Sequence, residues 1–319
     1  MLDVFFTTDV EIWFGGMSIS RENFAKAFDT CIRGRTPQGD FGLGYQADTL
    51  RSHGLTGVFF IEPLFSLCFG REPLADIVGM VTRASQEVQL HLHTEWVDRC
   101  TAFQFEDMRH RENLHQFKAA EQVTLIAAGK QLLLEAGAGS INAFRAGNFG
   151  FNRDTLGALS RNRIGFDSSY NASRFGLQSG VMPGTVVVEP VECEGVIEYP
   201  VTVFRDGTKS LRHAQVSACS FAEMERLLWQ ALDDSRTAFV IVSHSFELLG
   251  RSQKDADRIA VNRFNRLCRF LADNRGCFRL RGFEGLQSRI PARQPPPLAS
   301  PAWVTGHRML EQAVRRVCF

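Results

Sequence analysis

The chain has 319 residues, of which 44% are hydrophobic, and its 36 Lys and Arg residues nearly balance its 35 Asp and Glu residues. This size allows one large buried core, and the lack of a basic stripe with interleaved aromatic residues argues against nucleic-acid binding. The eight cysteines are scattered without a Cys-x-x-Cys pair, which indicates reduced, mostly buried thiols instead of a disulfide framework or a zinc ribbon.

The first apolar stretch is interrupted by acids at Asp3, Asp9 and Glu11, so it does not have the pattern of a secretory signal peptide. The sequence also has no run of about 18 apolar residues, the length that predicts a transmembrane helix. We therefore expect a cytoplasmic protein.

Short apolar runs alternate with longer segments of helical periodicity along most of the chain. Strands are predicted at 4–7, 57–61, 87–90, 141–144, 165–170, 238–242 and 278–280, with a β-rich region at 185–204. Helices are predicted at 74–84, 117–136, 154–162, 221–233 and 258–273. Apolar strands separated by helices predict parallel βαβ units, and about seven such units suit a (β/α) barrel better than a short open sheet.

Two segments stand outside this alternation. Gly15 to Gly44 is rich in glycine and is predicted to form a long loop at the barrel mouth. The repeating pattern ends at residue 290, which predicts a barrel domain over 1–290 followed by a proline-rich linker and a short helical tail over 291–319. The tail is basic and amphipathic, and packing on its own domain is favoured over a partner or a membrane surface.

The most informative residues are His91, His93 and Glu95, at the end of the strand that begins at residue 87. Alternate side chains of a strand project from the same face, so all three are expected to point together. Imidazole nitrogens and carboxylate oxygens are ligands of zinc and similar ions. A lone histidine is more often a core or surface residue, but this cluster predicts a metal site.

Other strand ends carry further reactive groups, and a barrel gathers its chemistry at those ends. Asp9 and Glu11 share a face, although a lone acid in such a place is often a helix cap. Arg145 would be costly to bury unpaired, so one of these two acids is its expected partner. Asp167 could also be a cap. His244 follows a fully apolar strand, where it could act as an acid or base or be a structural histidine.

Together these strand ends resemble the motifs of NodB-type polysaccharide deacetylases, the carbohydrate esterase family 4 proteins. The resemblance extends from Leu2 to Leu286 and is carried by five segments, in the family's order: 7–11, 87–96, 144–148, 166–169 and 242–244. It implies an α/β fold with a single domain, a distorted (β/α)7 TIM-like barrel.

Two motifs depart from the family pattern. The family usually has adjacent aspartates in its first motif, whereas Val10 separates Asp9 from Glu11 here. The family's two histidines usually stand four residues apart, and the corresponding position after His91 is Glu95. The resemblance therefore implies a divalent metal ion, most simply zinc, held by Glu11 and His91 together with His93 or Glu95.

The resemblance also implies a reaction, removal of an N-acetyl group from an amino sugar in a glycan or glycan precursor. Asp9 would be the general base that takes a proton from the attacking water, although Glu11 could exchange roles with it. His244 would protonate the leaving amine, Arg145 would keep the base ionised, and Asp167 would orient His244. The products would be acetate and an amino sugar, and a cytoplasmic location would make the substrate a precursor in surface polysaccharide biosynthesis.

The expected substrate contacts are Trp13, Trp96 and Asn148. An open groove lined by the two tryptophans would favour a glycan, whereas a pocket enclosed by the loop from Gly15 to Gly44 would favour a small non-sugar amide. Two alternatives follow: a related C–N amide hydrolase that acts on such a small substrate, or a non-catalytic barrel that binds carbohydrate.

Overall fold

The structure is a computed structural model that describes residues 1–318, and it has one central sheet surrounded by helices. The strands are β1 (Leu2–Val10), β2 (Arg35–Thr36), β3 (Gly39–Asp40), β4 (Gly57–Ile61), β5 (Glu87–Leu92), β6 (Ala143–Ala146), β7 (Phe166–Asp167), β8 (Val191–Cys193), β9 (Val196–Glu198), β10 (Val203–Arg205), β11 (Leu211–His213), β12 (Ala238–His244), β13 (Phe278–Leu280) and β14 (Leu298–Ala299). The α-helices are α1 (Arg21–Phe28), α2 (Leu43–Ser52), α3 (Ser66–Phe69), α4 (Glu72–Arg83), α5 (Ala119–Glu135), α6 (Arg153–Arg161), α7 (Phe221–Asp233), α8 (Arg258–Asp273) and α9 (Ala302–Cys318).

The central sheet has the strand order β12-β1-β4-β5-β6-β7-β9-β8, and β13 also pairs with β1. Its pairings are parallel except for that of β8 with β9. The chain after β9 returns to the other edge of the sheet, where the Thr202 N–H donates to the Val240 carbonyl (3.2 Å) and the Val216 N–H donates to the Val242 carbonyl (3.0 Å). The fold is therefore a distorted (β/α) barrel in a single domain, which confirms the predicted fold class.

The barrel interior is filled by aromatic side chains. The rings of Tyr199 and Phe283 lie 5.0 and 5.1 Å from that of Phe5, between their centroids. The strands are apolar on both faces because one face contacts this interior and the other contacts the surrounding helices. Above this layer the Arg145 guanidinium lies 4.5 Å from the centre of the Phe60 ring. The aromatic layer thus forms the floor of the polar barrel mouth.

The prediction of one long loop from Gly15 to Gly44 is wrong. This stretch contains α1, a turn of π-helix at Asp29–Arg33, the β2–β3 hairpin and the start of α2. Helix α1 forms because the Ser20 side chain accepts a hydrogen bond from the Asn23 N–H (3.2 Å) and caps its first turn. Only the segment before α1 is irregular, and this segment lies beside the barrel mouth.

The C-terminal residues are joined to the barrel. Strand β14 pairs with β10, and α9 packs on α7. Two ion pairs hold α9 in place: a buried one between Arg308 and Asp206 (2.9 Å), and a partly buried one between Arg315 and Asp257 (2.6 Å). Within residues 1–318, no helix combines the length and the apolar character needed to cross a membrane.

Candidate metal and catalytic site

The strand register brings the polar residues to one level at the barrel mouth. Asp9 of β1 stands opposite His244 of β12, and His91 of β5 stands opposite Arg145 of β6. These strands are parallel neighbours or lie close in the sheet order, so their carboxyl ends meet around one space. Residues from four segments that are distant in the sequence therefore surround the same site.

Glu11, His91 and His93 form a compact, buried cluster. Their candidate ligand atoms all lie within 4.8 Å of one another. The Glu11 Oε2 atom is 3.4 Å from His91 Nε2 and also contacts His93 Nε2. One carboxylate and two imidazoles are a donor set that suits zinc and related divalent ions, so these residues fit the metal that the resemblance implies.

Both histidine rings are oriented by contacts at their second nitrogen. His91 Nδ1 lies 2.7 Å from the Arg145 carbonyl oxygen, and His93 Nδ1 lies 3.2 Å from Glu95 Oε2. Each ring therefore presents Nε2 to Glu11, as ligating histidines usually do when a carbonyl or carboxylate holds the other nitrogen. Glu95 lies behind His93 and is not part of the three-residue cluster.

Glu11 and His93 form an ion pair. Burial alone would raise the pKa of Glu11, but the charge and hydrogen bonds of the two histidines lower it well below its usual value. Burial would likewise lower the pKa of His93, but Glu11 and Glu95 raise it well above its usual value. The proton held between them is the one that a divalent ion would replace, because a metal ligand must be deprotonated.

Arg145 is fully buried and paired with Asp9, one of its two expected partners. Its Nη1 atom donates to Asp9 Oδ1 (2.8 Å) and to Thr7 Oγ1 (2.7 Å). Its Nε and Nη2 atoms donate to the carbonyl and hydroxyl oxygens of Ser168, both at 2.9 Å. These contacts compensate the buried charge and fix the orientation of the Asp9 carboxylate.

Asp167 does not occupy the position that the sequence analysis expected. Its carboxylate accepts a hydrogen bond from Ser169 (2.6 Å) and lies against Glu198, so it does not orient His244. The reason is the strand order, since β7 lies between β6 and β9 while β12 lies beside β1. Glu247 takes the place next to His244, with 3.4 Å between Oε1 and the ring Nδ1.

Glu247 belongs to a hydrogen-bond network that was not predicted from the sequence. Ser217 and Gln215 donate to the Glu247 carboxylate, and the Gln215 side-chain oxygen lies 2.9 Å from His213 Nε2. These contacts hold Glu247 in place beside His244. The sequence contains one signal for this contact, a glutamate three residues after the histidine, but the other members are distant in the chain.

The pKa of His244 is raised to about 9. Burial by itself would lower this pKa, but the hydrogen bond and charge of Glu247 raise it, and the charges of Glu11 and Asp9 add to the effect. His244 Nε2 lies 4.0 Å from Glu11 Oε1, so the ring faces the cluster of Glu11, His91 and His93. A protonated imidazole in this position can donate a proton.

Asp167 and Glu198 form a second buried group, a pair of carboxyls in contact. Asp167 Oδ2 and Glu198 Oε2 have no hydrogen-bond donor among the described residues, which is the arrangement expected when the two carboxyls share a proton. Burial and the neighbouring Asp167 raise the pKa of Glu198 well above its usual value. The native state therefore holds a proton that the unfolded chain releases.

This proton predicts a pH dependence of stability. Above the unfolded-state pKa of Glu198 the native chain binds more protons, so the free energy of unfolding should fall as pH rises towards the folded-state pKa. In Glu198→Gln an amide can donate to Asp167 without a proton from solvent, so urea denaturation at several pH values should show a flatter profile. Glu192→Gln, at an exposed position, should keep the wild-type slope. An unchanged slope in Glu198→Gln would contradict the shared proton.

The site opens into two adjoining cavities. One has a volume of about 390 Å³ and is lined by Asp9, Glu11, Trp13, His91, His93, Ala146, Asn148, Phe149, Arg174, His213, Gln215 and His244. The other, of about 440 Å³, lies beside the irregular segment before α1. Trp13 lines both cavities and is 44% exposed, whereas Trp96 lines the second one but is 4% exposed and packs mainly in the core.

The turn after β6 has a strained backbone. Asn148 and Phe149 have φ values of 54° and 58°, a left-handed conformation that non-glycine residues rarely adopt. Gly147 directly precedes these two residues in the chain. If it carried a side chain, the Cβ atom would lie 2.7 Å from the Leu92 carbonyl oxygen and 2.9 Å from the His93 ring, which is too close. Glycine therefore allows this turn to approach the ring of His93, and the turn places Asn148 on the cavity wall.

No family model matches the sequence, and no curated protein matches it. Among solved structures, a candidate polysaccharide deacetylase from Mycobacterium smegmatis is similar over 92% of this chain and 95% of its own, with a TM-score of 0.53 and 16% identity.

Two further structures have lower TM-scores. A family 4 carbohydrate esterase from Streptomyces lividans has a TM-score of 0.41 and 14% identity, covering 93% of this chain and 97% of its own. A family 4 pseudoenzyme from Bacillus anthracis has a TM-score of 0.43 and 9% identity, covering 89% and 64%. The similarity to the mycobacterial protein is one of fold. The chain therefore has the fold of polysaccharide deacetylases, which confirms the resemblance found in the sequence at the level of the fold.

Proposed function

We propose that the chain is a divergent NodB-type deacetylase, a metal-dependent hydrolase that removes an N-acetyl group from an amino sugar in a glycan or glycan precursor. The observation that carries the proposal is the position of the Glu11, His91 and His93 cluster, directly beside the buried Asp9–Arg145 pair at the barrel mouth. The shared fold supports the proposal that the chain is a polysaccharide deacetylase.

Asp9 is the proposed general base. Its carboxylate lines the cavity, and the hydrogen bond from Arg145 Nη1 fixes its orientation there. A carboxylate in this position can accept a proton from water. Glu11, His91 and His93 are the proposed metal ligands. A divalent ion bound there would polarise the amide carbonyl and lower the pKa of water.

His244 is the proposed general acid. Its raised pKa keeps the ring protonated at neutral pH, and its Nε2 side faces the same cavity as Asp9. It would donate a proton to the amine as the C–N bond breaks. Glu247 replaces Asp167 as the proposed orienting group, because its carboxylate contacts the opposite nitrogen of the ring.

A small non-sugar amide is the second candidate substrate. The cavity that contains Asp9 and His244 has a volume of about 390 Å³, which is enough for one compact ligand. Trp13 favours the sugar, because its exposed ring at the mouth offers an apolar surface next to the metal cluster. A panel of N-acetylated sugars and small amides would distinguish the two substrates.

Metal analysis of variants tests the proposed ligands. We expect one zinc or similar ion per chain in the wild type, and loss of stoichiometric metal in His91→Ala and His93→Ala. Glu95→Gln should keep the ion but bind it about 10- to 100-fold more weakly, because Glu95 contacts His93 from behind. His307→Ala, which changes a histidine on the surface of α9, should bind metal as the wild type does.

Acetate release should be measured on the same proteins. Release from N-acetylated sugars that requires His91 and His93 would support the proposed function. Release from small amides alone would favour the second candidate, and stoichiometric metal without any turnover would favour a non-catalytic barrel. Unchanged metal content in both histidine variants would show that the proposed metal site is wrong.

A further inference from the structure

One charged side chain on the wall of the first cavity, the one of about 390 Å³, has no counter-ion. Arg174 lines this cavity, is exposed, and makes neither an ion pair nor a side-chain hydrogen bond with any residue that the structure describes. The other charged residues that line the cavity are paired with groups of opposite charge: Asp9 with Arg145, Glu11 with His93, and His244 with Glu247. A guanidinium has five N–H donors and stays charged, so that of Arg174 is available to a ligand.

Both neighbours of Arg174 in the chain are held in place. On one side, Ser173 Oγ lies 3.0 Å from His213 Nδ1. On the other side, the ring of Phe175 stacks on that of His115, with 4.4 Å between the ring centroids. The backbone that carries Arg174 is therefore anchored at two points on the cavity wall.

The turn that contains Arg174 is tight and internally bonded. The backbone carbonyl oxygen of Asn171, a buried residue, accepts hydrogen bonds from the N–H groups of Arg174 and Gly176, both at 2.9 Å. The Asn171 side-chain oxygen accepts a further one from the Ser173 hydroxyl (2.7 Å). A Cβ on Gly176 would lie 2.8 Å from the Asn171 carbonyl carbon, so glycine allows this close approach. Arg174 thus stands on a preorganised turn, and a ligand would not have to order the loop.

Hydrogen bonds connect this turn to His244. His213 Nε2 lies 2.9 Å from the Gln215 side-chain oxygen, and Gln215 donates to Glu247, whose carboxylate contacts His244. Burial and the charge of Arg174 lower the pKa of His213 to about 4, so this ring is neutral near pH 7. The positive charge of the turn is therefore that of Arg174 alone.

We propose that Arg174 is a specificity-determining residue that binds an anionic group of the substrate, so that the substrate is an N-acetylated amino sugar carrying a phosphate or a carboxylate. The planar guanidinium can bind either group through two parallel hydrogen bonds. Arg174 and Asp9 line the same cavity, so the anionic group and the reacting amide would belong to one ligand. The inference rests on the proposed function, because it names the substrate class of the same site.

The test compares acetate release from anionic and neutral derivatives of N-acetylglucosamine. The anionic compounds are the 1-phosphate, the 6-phosphate and the uronic acid with a carboxylate at C6, and the neutral one is the methyl glycoside. We expect the wild type to have a kcat/KM for one anionic compound at least about tenfold above that for the neutral one, the effect of a hydrogen-bonded charged contact. The compound that is preferred distinguishes phosphate from carboxylate and shows which position carries the charge.

Arg174→Gln should remove this preference. KM for the preferred compound should rise about 10- to 100-fold with kcat nearly unchanged, because the contact is remote from the reacting bond and is made equally in the ground and transition states. The kcat/KM for the neutral glycoside should stay near the wild-type value. Arg174→Lys, which keeps the charge without the planar fork, should retain part of the preference.

Two further arginines provide controls. Arg99→Gln changes an exposed arginine on the second cavity, and Arg153→Gln changes one that pairs with Glu194 on the surface. Both should keep the wild-type preference. Equal kcat/KM for neutral and anionic sugars in the wild type would overturn the inference, and so would loss of the preference in Arg99→Gln but not in Arg174→Gln.

Calorimetric titration of the same four compounds into the full chain separates this inference from the proposed function. Tighter binding of an anionic sugar that depends on Arg174, without acetate release, would support the anion site and contradict the deacetylase. Acetate release with no preference for an anionic sugar, in turnover or in binding, would overturn the inference and leave the proposed function intact.

Discussion

Asp9→Asn should lower kcat for acetate release by about 10²- to 10⁴-fold, the range that a general base contributes. Asparagine has nearly the same shape as aspartate, and its oxygen can still accept the hydrogen bond that Arg145 Nη1 donates over 2.8 Å. The amide cannot take a proton from water, so the chemical step should lose its base. Metal content should be unchanged, because Asp9 is outside the ligand cluster. The assay should measure the rate of acetate release by zinc-loaded protein at a saturating substrate concentration.

Two comparisons make this result specific. Asp48→Asn, at an exposed ion pair with Arg51, should retain wild-type activity. Glu247→Gln should lose less activity than Asp9→Asn, because glutamine can still accept a hydrogen bond from His244 while its negative charge is gone. If Asp9→Asn lost only about threefold in activity, the loss would be far smaller than that expected for a general base. Another group would then take the proton. Glu11 would then be the first alternative to examine.

The sequence was sufficient to predict the barrel and most strand ends, because apolar strands and the polar residues after them are local patterns. The choice between His93 and Glu95 was not predictable in this way. Strand β5 ends at Leu92 and the 3-10 helix starts at Thr94, so the alternation of faces that would align Glu95 with His93 stops. Glu95 consequently turns behind the ring of His93.

The error at Asp167 has a different physical origin. A residue at a strand end is predictable, but its partner across the barrel depends on the complete strand order and register. Asp167 therefore meets Glu198 of the adjacent β9, and Glu247, only three residues from His244, orients the imidazole.

Arg145→Met should lower the free energy of unfolding by about 3–5 kcal/mol, the cost of removing one partner from a buried ion pair. Methionine fills part of the space above the Phe60 ring but donates no hydrogen bond. The Asp9 carboxylate would then remain buried without its cation, and the oxygens of Thr7 and Ser168 would lose their donors. Urea denaturation of the metal-free protein measures this difference.

An exposed arginine provides the control. Arg153→Met removes a surface ion pair with Glu194 and should change stability by less than about 1 kcal/mol. The double variant Asp9→Asn, Arg145→Met should be more stable than Arg145→Met alone, because it no longer buries an uncompensated carboxylate. If the single and double variants had the same free energy of unfolding, the loss in Arg145→Met would arise from packing. Recovery in the double variant would show that Arg145 compensates the buried charge which Asp9 needs as a base.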